Sequence, residues 1–250
     1  MSRWWYLAAP ALPLLLPQAL WVKRTALRLP EAAQPWTGLC LPPESSGSEQ
    51  PLRLLLVGES TVAGVGVETQ SEALSGQLAS QLAQVLKRPV QWQACGRNGA
   101  TARDCLRDLV PTLEGQAWDL VVIVLGVNDT THLSSRRHWR RVMAQLVEAF
   151  AGRAGQCLIT GVPPLGHFQA LPQPLRAWFG LRAGLLDADL RALASHSGAG
   201  YLPLNMAFEP AFLARDGYHP SALGYAHWAS GIVQQLGYSS SSTGPSGSSP

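Results

Sequence analysis

Four short stretches of this sequence set a residue able to do chemistry in a glycine-containing turn. In the first, Arg53 to Gly66, the run Leu54 to Val57 stops at Gly58, and Ser60 follows within two residues on a glycine-rich turn. In the last, Asp216-Gly217-Tyr218-His219-Pro220 sets an aspartate three residues before a histidine. Serine is a weak nucleophile at its ordinary pKa and needs an adjacent base. A histidine oriented through its other ring nitrogen by a carboxylate is the usual base of that kind. Acyl transfer also needs donors where negative charge develops on the carbonyl oxygen. Three candidates are available: the backbone N–H of Ser60, the backbone N–H of Gly99 in Asn98-Gly99-Ala100-Thr101, and the side-chain amide of Asn128 in Gly126-Val127-Asn128-Asp129. Each of these residues has a plainer reading, as a helix cap, a turn glycine or a turn asparagine. Their joint placement is what favours catalysis.

That placement follows from the elements. Apolar runs at 54–57, 90–95, 118–125, 156–162 and 201–204 read as strands, and the 118–125 run is long and apolar enough to be covered on both faces. Helical spacing recurs between them, at 72–86, from a Thr101 cap through Leu113, and at 135–151, 175–195 and 221–236. Strand and helix alternate, which is the pattern of a mostly parallel sheet with helices on both faces. A five-stranded, flavodoxin-like order is the economical expectation. In such sheets ligands bind beyond the carboxyl ends of the strands. Ser60, Asn98 and Gly99, Asn128 and Asp129, and Asp216 and His219 follow strands one, two, three and five, so all fall on that edge.

These blocks, in this order, resemble the SGNH or GDSL-type hydrolases over roughly Leu52 to Leu236. The resemblance implies a three-layer α/β/α sandwich and hydrolysis of carboxylic esters or thioesters with no metal or organic cofactor. It implies that Ser60 is nucleophile and oxyanion donor, Gly99 and Asn128 the other donors, His219 the base and Asp216 its partner. Acyl transfer to another acceptor, and a membrane-bound binding protein without activity, are the competing readings. One position departs from the family pattern: the usual aspartate before the serine is Glu59.

The remaining sequence bears on substrate and location. The chain is 46% apolar and 14% charged with a net charge of +3, which disfavours nucleic acid as a partner. Residues 1–29 read as a hydrophobic membrane-associating segment or export signal. Trp4 to Val22 holds no charged side chain and is flanked by Trp4, Trp5 and Tyr6 at one end and Trp21, Lys23 and Arg24 at the other. Pro10, Pro13 and Pro17 argue against a regular helix there, and a periplasmic or exported location is the alternative. Residues 30–51 read as a linker, 52–238 as the hydrolase domain, and 239–250 as a disordered Ser/Gly/Pro tail. Four cysteines form no C-x-x-C pair, and a Cys95–Cys105 disulfide stays open. Arg136, Arg137, Arg140 and Arg141 around Trp139 read as a solvated helix face or as a contact for anionic lipid. Leu165, Phe168 and Leu171 read as a packed loop or as an acyl-chain wall. The expected partner is a small-molecule or lipid ester, with a membrane surface as a further one.

Overall fold

The computed structural model describes residues 12–43, 49–206 and 208–237. The expected tail at 239–250, the aromatic cluster Trp4 to Tyr6 and the Ser45-to-Ser48 run lie outside them.

Six strands form one sheet: β1 (Thr37–Cys40), β2 (Leu52–Gly58), β3 (Val90–Gly96), β4 (Trp118–Val124), β5 (Ala154–Thr160) and β6 (Gly200–Leu202). Their spatial order is β1-β3-β2-β4-β5-β6. Strands β2 to β6 are parallel, in the flavodoxin-like order expected. The sixth strand is an addition: β1 pairs antiparallel with β3, Thr37 opposite Gln93 and Cys40 opposite Val90. It falls in the stretch read as a linker, where prolines at 35, 42 and 43 mask a strand of four residues. An edge strand tolerates such neighbours because one of its sides needs no partner.

The strand pleat sends alternate residues to opposite faces. Leu55, Val57, Val121, Ile123 and Ile159 join one core, and Leu54, Leu56, Val122, Val124 and Leu158 join the other. The first face is covered by the helical stretch 102–113 and by α4 (Arg136–Ala149) and α5 (Leu175–Ser197). The second is covered by α2 (Leu74–Leu86) and α6 (Ala222–Gln235). This is the three-layer sandwich. Strand β4 is buried at every position but Asp119, as its unbroken apolar run requires. Caps sit where the sequence places them. Thr101 and Asp104 form a reciprocal capping box, and the Ser135 and Ser221 hydroxyls accept from the third residue of their helices.

One helix contradicts its sequence reading. Residues Leu12–Thr25 form α1 despite Pro13 and Pro17. Pro13 falls in the first turn, where its missing N–H would lack a partner anyway. Pro17 costs one backbone bond, offset by packing: Leu15 is buried in the core, and Ala19 and Val22 lie against it. Among the described residues no helix is long and apolar enough to cross a membrane.

Candidate active site

Ser60 stands two residues past β2, at 7% exposure. The turn that carries it is closed by the Val62 and Ala63 N–H groups donating to Glu59 O, and by the Val65 N–H donating to Ser60 O. Gly66, at φ +108°, lets this turn approach the histidine loop: a Cβ there would lie 2.4 Å from Pro220 O. His219 is held on the other side. The Ala214 N–H donates to His219 O at 2.7 Å, and the Gly217 N–H donates to Ala214 O at 2.9 Å.

Between the two loops runs a continuous chain of short contacts. His219 Nε2 lies 2.9 Å from Ser60 Oγ, and His219 Nδ1 lies 2.6 Å from Asp216 Oδ2. The other carboxylate oxygen of Asp216 accepts the N–H of Tyr218 at 3.0 Å and of His219 at 3.1 Å. Burial works against the charge on Asp216, but the ring of His219, the Tyr218 N–H and the histidine's own charge and N–H outweigh it. The carboxyl is held below its ordinary range, so Asp216 stays ionised beside the ring.

Gly99 occupies the third position of a turn in which the Ala100 N–H donates to Arg97 O at 3.1 Å. Its φ of +80° is the left-handed conformation such a turn demands there. The neighbouring Asn98 N–H donates to Glu31 Oε1 at 2.6 Å, a contact with no signal in the sequence.

Asn128 lines the same cavity as Ser60 and His219, but its amide is already engaged. Nδ2 donates to Glu59 Oε2 at 2.6 Å and to Ala100 O at 3.1 Å. Both amide hydrogens are therefore used. Donation to an incoming oxyanion requires one of these bonds, most readily the longer one to Ala100 O, to be exchanged. Glu59 is the organiser here. It also accepts the N–H of Val127 on Oε1 and of Asn128 on Oε2, each at 2.9 Å. Complete burial pushes its carboxyl up to about 7, against the pull of those N–H bonds. The longer side chain thus reaches across and pins the β4–α3 turn, α3 being Val127–Thr131. Arg182 holds that helix from behind, donating to Thr130 O at 2.9 Å and to Ser134 O.

Ser60, Asn98, Asn128 and His219 open on a cavity of about 540 Å³. Leu165, Phe168, Leu171, Leu175 and Phe179 supply its apolar wall. Tyr218 ties this wall to the histidine loop, its hydroxyl donating to Ala170 O at 3.1 Å. The arginine cluster of α4 lies elsewhere. Arg136 grips the buried Asp189 at 2.8 and 2.6 Å, and Trp139 is buried with its indole N–H on Leu186 O. All four cysteines are free, Cys105 donating to Gly58 O at 3.5 Å.

With this geometry in place, residues 56–227 match the GDSL-like Lipase/Acylhydrolase family. The chain belongs to that family. A curated relative, a GDSL-like esterase of Mycobacterium tuberculosis, is 29% identical over 183 residues, which is 70% of this chain and 58% of the relative. The chain thus spans somewhat more than half the length of that relative. Among solved structures, TesA superposes with a TM-score of 0.62 at 19% identity, covering 74% of this chain and 97% of its own. The lipase/acylhydrolase from Enterococcus faecalis gives 0.56 at 22% identity, covering 74% and 95%. These two likenesses concern the fold. The family match runs from β2 through the histidine loop into α6, a span that contains Glu59, Ser60, Gly99, Asn128, Asp216 and His219 but not Glu31.

Proposed function

We propose that this GDSL-like family member is a serine-dependent carboxylic ester hydrolase that works through an acyl-enzyme on Ser60. The observation that carries the reading is the Asp216–His219–Ser60 chain, at 2.6 and 2.9 Å, opening on an apolar cavity. His219 Nε2 takes the Ser60 proton as Oγ attacks the acyl carbonyl, while Asp216 holds Nδ1–H and stabilises the imidazolium. The N–H groups of Ser60 and Gly99 and the Asn128 amide hold the oxyanion. His219 returns the proton to the departing alcohol. Water, deprotonated by the same nitrogen, then releases the acid. The apolar wall favours acyl chains over acetyl groups. Thioester substrates, or an alcohol acceptor in place of water, would use the same residues.

Turnover of p-nitrophenyl acetate, butyrate and laurate, beside Ser60→Ala and His219→Ala, tests the reading. Loss of at least a thousandfold in both variants supports it. Equal turnover in all three proteins would leave Ser60 without a role.

We also propose that the enzyme works at a lipid surface. On α1, Leu14, Leu16, Leu20 and Trp21 are each about half exposed or more, and Lys23 and Arg24 follow in the last turn. Exposed apolar side chains beside cations suit an anionic interface.

A further inference from the structure

The N-terminal segment is part of the site, not an attachment to it. On α1 the residues Leu15, Gln18, Ala19 and Val22 recur at helical spacing and face inward. The Gln18 amide clamps the start of α5 from both sides of its function: Nε2 donates to Gln173 O at 2.5 Å, and Oε1 accepts the Leu175 N–H at 3.1 Å. Ala19, Val22 and Ala26 line the cavity that Ser60 and His219 open on. Beyond α1 the chain continues around the site. Leu29 packs with Ala63 and Val65, the Ala32 N–H donates to Ala63 O at 3.0 Å, and Glu31 holds the Asn98 N–H. The same segment therefore touches the acyl cavity, the serine turn and the Gly99 turn.

We propose that α1 is the specificity-determining wall of the acyl cavity, with Ala19 and Val22 fixing the length of straight acyl chain accepted. The inference rests on the acyl-enzyme reading of Ser60 and adds to it the substrate class: esters of unbranched fatty acids longer than butyrate. Ala19 and Val22 line the same cavity as Leu165, Phe168 and Leu171. A chain lying there is shielded from water on one side by α5 and its loop and on the other by α1. Burial of each methylene strengthens such a complex about fourfold. A bulky side chain at 19 or 22 would narrow this space.

The test uses the full chain carrying Ser60→Ala, so that binding is read without turnover. Its affinity for a fluorescent undecanoic acid probe is compared with that of the same protein bearing Ala19→Trp, Val22→Trp, Val22→Ala or Leu16→Trp. Tryptophan at 19 or 22 is expected to weaken binding at least tenfold, whereas Leu16→Trp, on the outward face, leaves it within twofold. Val22→Ala, which widens the cavity and adds no bulk, is expected to shift preference toward longer probes. In the Ser60 background, Val22→Trp is expected to lower the ratio of laurate to acetate turnover at least tenfold. Failure of the Ser60→Ala protein to bind the probe, or equal weakening by inward and outward tryptophans, overturns the proposal. Absence of ester turnover with intact, Val22-dependent probe binding would overturn the hydrolase reading and leave the wall in place.

Discussion

Glu59 is the residue whose chemistry is most particular to this chain. One carboxylate takes three N–H bonds from Val127 and Asn128 and fixes where the Asn128 amide sits. An amide at this position has one acceptor oxygen and brings two new donors against Val127 or Asn128. Glu59→Gln should therefore destabilise the fold by about 1–3 kcal/mol, read by urea unfolding, and lower esterase kcat with little change in KM. The pH dependence follows from the sign of the shift. Burial raises the carboxyl from 4.5 to about 7, so between those values the folded protein binds more protons than the unfolded chain. Stability from this group is fully present below about 4.5 and is lost as pH rises through about 7. Over that interval the wild type should lose on the order of 3 kcal/mol that the glutamine variant does not. Identical pH slopes in the two proteins would show that the carboxylate is not desolvated. Asp216 has the opposite sign. Its carboxyl is depressed, so its contribution is present above the unfolded pKa and lost as pH falls through the folded one. Asp216→Asn should keep the fold and lower turnover by about 10⁴-fold, because the ring loses the partner that fixes its tautomer.

At the scale of elements, the site depends on loops held at fixed distances by strands whose spacing the sheet sets. Gly66→Ala places a methyl group against Pro220 O and adds left-handed strain, so the serine and histidine loops must part. Activity should fall far more than secondary structure content, measured by turnover beside circular dichroism. Helix α4 makes the contrasting case. Arg136→Ala leaves Asp189 buried and without its bidentate partner, which should cost about 1–3 kcal/mol with turnover unchanged. The strands and most helices were legible because their signals are periodic: the β4 run, the Thr101, Ser135 and Ser221 caps, and the leucine spacing of α2 all appear in the sequence. Strand β1 was not legible. Four residues between prolines carry no period, and only pairing with β3 makes them a strand. Helix α1 was hidden for a related reason, since Pro13 and Pro17 lower local helix propensity and the packing that outweighs them is tertiary. The candidates Ser60, Asn128 and His219 could be grouped from the sequence because each follows a strand, and the structure sets all three on one cavity. What the spacing could not show is that Glu59 and the Ala100 carbonyl both occupy the Asn128 amide.

For the whole molecule, the notable feature is that one end of the chain serves both cavity and surface. The inward side of α1 lines the cavity that Ser60 and His219 open on, and its outward side presents Leu14, Leu16, Leu20 and Trp21 to solvent. Sedimentation with vesicles should show binding to anionic phosphatidylglycerol membranes that weakens as salt rises, and weaker binding to neutral ones. Leu20→Asp with Trp21→Asp should abolish it while leaving acetate ester turnover intact; unaltered vesicle binding in that variant would remove α1 from the interface. The central claim concerns Ser60, and its most direct measurement is active-site labelling with a fluorophosphonate, followed by identification of the modified peptide. The expected result is a single adduct on Ser60 in the wild type, lost in Ser60→Ala and slowed by orders of magnitude in His219→Ala. An unlabelled wild type, or an adduct that forms as fast without His219, would contradict the activation of Ser60 by the Asp216–His219 pair.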